Sequence, residues 1–214
     1  MWGKKEKHLS KEEKAQGNKG DQWDHVAFAS EEKLVVSMVP GKRTEENTRE
    51  LVEDFSLRAN DGQPPALMTA DEYGPYPKCI LEIYGEEVRP EPTGKPGRPR
   101  KPYKVAPPDL LFATVCKKQE KNKGVKVEIR LVFGTEETLQ EALKKSTVSK
   151  RVNVAFVERY NGTDRHLNAR KARQTYEFSK NVDDHVHQSW LSIGYYNFCW
   201  DHRSLKIRDE YSVY

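Results

Sequence analysis

Between Gly124 and Gly134 the apolar residues Val125, Val127, Ile129, Leu131 and Phe133 alternate with Lys126, Glu128, Arg130 and Val132. A period of two is the period of a strand, because successive side chains point to opposite faces of a sheet. A second apolar run, Leu110 to Cys116, lies just before it across Lys121-Asn122-Lys123-Gly124, so the pair predicts a hairpin with one buried face. Segments of helical period stand on both sides of this hairpin. A chain of this kind must pack helices on sheet, which excludes an all-helical bundle and an all-β sandwich.

The rest of the sequence fills in that plan. Trp23–Phe28 and Leu34–Val39 are short Val- and aromatic-rich runs separated by Ala29-Ser30-Glu31-Glu32, which reads as strand, turn, strand, the second run being apolar on both faces and so placed inside a sheet. Pro40 and Gly41 end it. Thr44 with Glu45 and Glu46 caps a helix whose buried face is Leu51, Val52, Phe55 and Ala59. Ala66-Leu67-Met68 reads as a third strand that delivers Asp71 at its tip, and Tyr76–Tyr84 as a short helix. Thr135 with Glu136 and Glu137 caps another helix carrying Leu139, Ala142 and Leu143. Helical spacing returns from Phe156 onward and again from Val182 to Trp200, where Trp190, Ile193, Asn197 and Trp200 recur. No internal repeat is present. The expectation is an α/β fold, a mixed sheet flanked by helices.

A chain of 214 residues is long enough to bury one ordinary core, and coherent apolar runs argue against disorder although 33% of residues are charged. Cys79, Cys116 and Cys199 are odd in number and widely spaced, which excludes a disulfide framework and a cysteine zinc site and fits free thiols in a reducing cytoplasm. No apolar run approaches the roughly 20 residues of a membrane span, so no membrane partner is expected. Asn161-Gly162-Thr163 has the glycosylation pattern, but that reading needs a secretory route for which nothing in the sequence speaks.

The net charge of +4 is small, yet the cations cluster. Thr93–Lys104 holds Lys95, Arg98, Arg100, Lys101 and Lys104 with prolines at 96, 99 and 102 and no acid, so it reads as an extended basic loop. Its Gly97-Arg98-Pro99 core is similar to an AT-hook, in which an extended arginine enters a narrow minor groove; a solvated linker is the equal alternative. Phe156 to His166 sets Glu158 among Arg159 and Arg165, with Asn161 and Arg165 on its helical face, and Arg170, Lys171 and Arg173 continue the cationic run. A carboxylate so placed suits a metal ion facing nucleic acid, and Asp71 offers a second; a salt-bridged surface helix and a strand-end turn are the plain alternatives. His185 and His187, two apart on a helix, point to different sides and read as core or surface. The tail aromatics Trp190, Tyr195, Tyr196, Phe198 and Trp200 read as core before base-stacking.

Taken together, Phe156-Val157-Glu158-Arg159-Tyr160-Asn161 with Asp164-Arg165, Phe178-Ser179-Lys180, Tyr196-Asn197-Phe198-Cys199-Trp200, Lys33 to Thr44 and Thr69-Ala70-Asp71-Glu72-Tyr73 resemble transposases of the insertion-sequence-one type, over essentially the whole chain. The resemblance implies a ribonuclease-H-like domain, an Asp-Asp-Glu triad holding two Mg²⁺ or Mn²⁺ ions, and cleavage and strand transfer of DNA in transposition. It implies Asp71 as the second acid and Glu158 as the third, both catalytic and metal-binding. Gly3-Lys4-Lys5 matches the segment that follows the first acid, which the resemblance places upstream of Met1; activity would then be impaired, and Asp21 or Asp24 are the candidate stand-ins. A DNA-recognition region ahead of the domain is expected to be missing. The implied organisation is residues 1–20 as the remnant of the first strand and its loop, 21–87 as the first part of the domain, 88–148 as an insertion with the basic loop and hairpin, and 149–214 as the helical part with the third acid. The implied partners are element ends and target DNA, and a homo-oligomer with intact transposase, in the cytoplasm at a prokaryotic nucleoid. Charge and helical position, not the family motif, suggest Arg98, Arg100, Lys101, Arg159, Asn161, Arg165 and Arg170 as DNA contacts. A non-catalytic DNA-binding remnant and a nuclease acting on another nucleic acid are the competing classes.

Overall fold

The computed structural model describes residues 8–12, 22–90, 100–120, 124–172, 176–177, 179 and 182–205. Most of the expected first-strand remnant (residues 1–7 and 13–20), Asp21, most of the basic loop including Arg98, the hairpin turn at 121–123, and Arg173, Phe178 and Lys180 lie outside those residues.

Strands β1 (Trp23–Ala29) and β2 (Leu34–Gly41) pair antiparallel, with Val26 opposite Met38 and a bulge between Ala27 and Phe28. The turn between them is tight enough to put Lys33 at φ 58°. Helix α1 (Glu45–Arg58) begins as its sequence demands. The Thr44 hydroxyl accepts from the Asn47 N–H, and Glu45 and Glu46 sit at the positive end of the helix dipole. Strand β3 (Met68–Asp71) starts two residues later than the sequence suggests and ends on Asp71; helix α2 (Pro75–Tyr84) follows.

The short strands β4 (Glu86–Val88) and β5 (Tyr103–Val105) form a separate antiparallel ribbon. The hairpin is present as β6 (Phe112–Glu120) and β7 (Gly124–Phe133). Strand β6 also pairs in parallel with β3, Asp71 standing opposite Val115, so the sheet order β3-β6-β7 is mixed. Gly134, at φ 97°, turns the chain from β7 into helix α3 (Glu136–Lys145); a side chain there would be strained and its Cβ would strike Leu111. Helix α4 (Ala155–Leu167) and helix α5 (Val182–Phe198) follow.

Three clusters hold these layers together. Leu111, just before β6, and Ala113 and Val115 of β6 pack with Leu139 and Leu143 of α3, with Val152 and Val154, and with Val157 of α4. On the other face Phe112, Met68 and Ala70 meet Val52 of α1 and Cys79, Ile80 and Tyr84 of α2. The third cluster joins Val35, Met38 and Phe28 of the first hairpin to Tyr160 of α4 and Ile193 and Tyr196 of α5. Helix α1 thus serves one side of both sheets and α4 the other. Both faces of β2 are covered although among the described residues it has one strand neighbour, since helices supply the burial that the sequence suggested a wider sheet would give. Asn197 of α5 completes its backbone: the side-chain oxygen accepts from the Val35 N–H at 3.0 Å and the amide donates to the Val35 carbonyl at 3.0 Å.

Two expectations need correction. The apolar side of the hairpin is buried only at its base; Val125, Val127 and Ile129 stand exposed. Of the tail aromatics Tyr196 alone is buried, while Trp190, Tyr195, Phe198 and Trp200 are exposed, Trp190 lying under the Arg58 guanidinium of α1 at 5.9 Å. No described helix is long and apolar enough to cross a membrane.

Candidate functional site

Asp71 and Glu158 reach one face of one sheet. The parallel register puts Thr69 opposite Ala113 and Asp71 opposite Val115, and both partners point into the α3–α4 layer, so Asp71 points there as well. Lys117 is two residues further along β6 on that face, and its ammonium lies 2.5 Å from Glu158 Oε1. Lys117 thus stands two residues along β6 from Val115, the residue opposite Asp71, and its side chain reaches out from the strand to Glu158. Asp71 is the last residue of β3, while β6 runs on past Lys117 to Glu120.

Local bonds set the position of Glu158. The Thr69 hydroxyl donates to the Asn153 carbonyl at 3.2 Å, which pins the entry to α4 over β3. The Asn153 side chain in turn accepts from the Ala155 N–H at 3.0 Å. Glu158 occupies the first turn of α4, where the helix dipole favours a carboxylate.

Each acid has a cation. The Arg43 guanidinium, just after β2, is 2.9 Å from Asp71 Oδ2 and lies over the rings of Tyr73, at 4.2 Å, and Trp23, at 5.3 Å. Tyr73 donates its hydroxyl to the Arg43 carbonyl, so both ends of that residue are fixed. Asp71 and Glu158 remain 57% and 54% exposed, and ion pairs so open to water contribute little and exchange readily. Exposed carboxylates are the kind of donor that holds Mg²⁺ together with the oxygens of a substrate phosphate. Among the described residues no three of His, Cys, Asp and Glu gather into a ligand cluster.

The candidate DNA contacts separate. Arg159 is exposed near Lys33, whose ammonium sits 4.4 Å from the Phe156 ring centre; burial, and then the charge of Arg159, hold that lysine below its ordinary pKa. Arg165 is exposed and Asn161 half-buried on the same helix. Helix α4 does not continue through the later cations. It stops at Leu167 because Asn168 turns the chain and accepts from the Arg170 N–H, leaving Arg170 exposed in a short 3-10 turn. Arg100 and Lys101 are exposed ahead of β5, a strand that packs on α2 in the opposite layer, so they are not beside the acids.

The largest surprise is a buried ionic cluster behind α4. Lys171 Nζ is 2.7 Å from Asp164 Oδ2 and 3.1 Å from Asp24 Oδ2, and Asp24 Oδ1 is 2.8 Å from His185 Nε2. Lys171 is therefore structural, the reverse of its expected place in a cationic surface run. Its side chain is 6% exposed and that of Asp164 9%. Burial would raise the Asp24 pKa, but the hydrogen bond with His185 and the charge of Lys171 outweigh it and hold the carboxyl at about 2. For Asp164 burial wins over Lys171 and the pKa is raised. Asp24 is thus committed to ion pairs and is no stand-in for a metal-binding acid. The core reading of His185 holds, while His187 is exposed.

Comparison with known proteins gives no further identity: no protein-family model, curated protein or solved structure matches the chain.

Proposed function

We propose that this chain carries out, or descends from a protein that carried out, metal-dependent phosphoryl transfer on DNA as a DDE-type transposase with a ribonuclease-H-like arrangement. What supports the reading is that Asp71, at the end of β3, and Glu158, 87 positions on and held by Lys117 of β6, belong to the same face of one sheet. Unrelated surface acids have no reason to share that place. In this reading Asp71 and Glu158 would hold Mg²⁺ or Mn²⁺, which when bound activates a hydroxyl and stabilises the leaving oxygen. Arg43, already immobilised between two aromatic rings, orients a substrate phosphate, and Lys117 offers a second cation on the same face. Arg159, Arg165 and Lys33 extend the positive surface along α4 toward the first hairpin turn, where a duplex backbone would lie.

The test uses a duplex with a free 3′ hydroxyl and a supercoiled target, with Mg²⁺ or Mn²⁺. Joined product is expected, and its loss in both Asp71→Ala and Glu158→Ala. Joining that survives both substitutions refutes the assignment of the acids.

A second reading is a DNA-binding protein without catalysis, and the cation partners of both acids favour it. It requires DNA binding that weakens steeply with salt, since phosphate contacts release counterions, and no joined product. Affinity indifferent to salt sinks it.

A further inference from the structure

Strand β7 is an edge. Among the described residues its one strand neighbour is β6, so its outward N–H and C=O groups face no partner strand. Its two faces differ. Lys126, Glu128 and Arg130 are tied within the chain, Glu128 to Lys118 at 2.7 Å and to Lys126 at 3.2 Å, and Arg130 to Glu72. The opposite face presents Val125, Val127 and Ile129, 61%, 54% and 49% exposed. An edge strand that is both unpaired and apolar on one face is a template for another strand.

We propose that this edge pairs antiparallel with β7 of a second copy of the chain, across a two-fold axis at Val127. The sequence of the strand selects both partner and register. With Val127 opposite Val127, the exposed Val125 and Ile129 of one copy face Ile129 and Val125 of the other. Lys126 and Glu128 then face Glu128 and Lys126 across the axis, two opposite-charge pairs. Moving the axis to Glu128 sets Glu128 against itself and Lys126 against Arg130; moving it to Lys126 sets Lys126 against itself. Moving it to Ile129 pairs exposed residues with Leu131 and Phe133, which already pack against the body of the fold. Of these registers, the one centred on Val127 joins the whole exposed stripe to itself with matched charges. The interface is isologous and closes on itself, so it gives a dimer and not a fibre. Its axis is perpendicular to the sheet, which makes six strands continuous, β3-β6-β7 with β7-β6-β3, and sets the Lys117–Glu158 pairs of both copies on the same face.

The test is symmetric cross-linking of the full chain with Cys199→Ser, which removes the exposed thiol; Cys79 and Cys116 are buried. Opposed residues of an antiparallel pair have Cα atoms about 4.5–5.5 Å apart, within disulfide range. Under diamide, Val127→Cys is expected to give a reducible species of twice the 24.8 kDa chain mass. Val125→Cys or Ile129→Cys alone is expected to give none, and the two together to cross-link. A monomeric Val127→Cys, or equal cross-linking through Ile129→Cys alone, overturns the proposal. Sedimentation equilibrium provides the second measurement. Lys126→Glu or Glu128→Lys alone converts two attractive pairs to repulsive ones and weakens the dimer about tenfold, and combining them restores it. A chain that sediments as a monomer at every concentration, or a double variant as weak as the singles, also overturns it.

Discussion

Replacing Lys171 by methionine keeps the length and apolar stem of the side chain and removes one charge from the middle of the buried cluster. Asp164 and Asp24 then lose an ammonium at 2.7 and 3.1 Å, in a site where the lysine and Asp164 are more than nine-tenths enclosed. Breaking a buried pair on one side costs about 3–5 kcal/mol, because the remaining charge is left without compensation. That is a large share of the roughly 5–15 kcal/mol of an ordinary domain. The pH dependence identifies the cause. In the native chain Asp24 is held low, so its contribution is present above the unfolded carboxylate value and is lost as pH falls through about 2. Asp164 has the opposite sign: its raised pKa favours the fold at low pH, and that gain is lost as pH rises through its folded pKa. Loss of Lys171 removes a cause that lowers both carboxyls, so burial pushes both upward and each takes up a proton more readily as pH falls, Asp24 still holding its bond with His185. The deficit of Lys171→Met should therefore be greatest at pH 7 and shrink toward pH 4. Asp164 Oδ1 has no hydrogen-bond partner among the described residues and can take the proton. Urea denaturation of both proteins across that range measures it. Asp164→Asn with Lys171→Met serves as a companion that keeps the test open if the single variant does not fold, and is expected to recover part of the loss by removing one stranded charge. A deficit under about 1 kcal/mol, the size of an exposed pair, or one that grows on acidification, refutes the reasoning.

Two further outcomes follow from single contacts. Asn197→Ala removes both bonds to the Val35 backbone and should cost about 2 kcal/mol, read as a lower urea midpoint with unchanged slope; an unshifted midpoint would show that water replaces the side chain. Thr135→Ala removes half of the reciprocal cap in which Thr135 accepts from the Thr138 N–H and Thr138 from the Thr135 N–H, and should cost about 1 kcal/mol in a thermal melt, with Thr135→Ser restoring it.

The parts of the fold that were legible in sequence are those with local causes. Thr44 and Thr135 announce their helices because a cap is made within three residues, and the alternation at Val125–Phe133 announces a strand because the pleat alone dictates it. Alternation does not say what covers the apolar side, and here nothing among the described residues covers its outer half. The acids were legible as candidates, but their shared face depends on the β3–β6 register, a pairing across more than forty residues. The buried cluster had no local signal. Asp24 and His185 are 161 positions apart, and Lys171 looked like one more cation in a basic run until Asp164, seven residues earlier, turned inward with it. The end of α4 could have been read: Asn168 is a residue type that bonds its own backbone two positions on, which competes with continuing the helix.

Arg43 makes one further property available. Its guanidinium touches the indole of Trp23 and the carboxylate of Asp71 at once, so anything that draws Arg43 away from Asp71, whether a divalent ion on the acid or a phosphate on the arginine, also changes the surroundings of a fluorophore. The chain carries its own optical probe at the candidate site. Titrating Mn²⁺ or a short duplex while following tryptophan emission, with Trp23→Phe as the silent control, reads occupancy without a label and without any turnover.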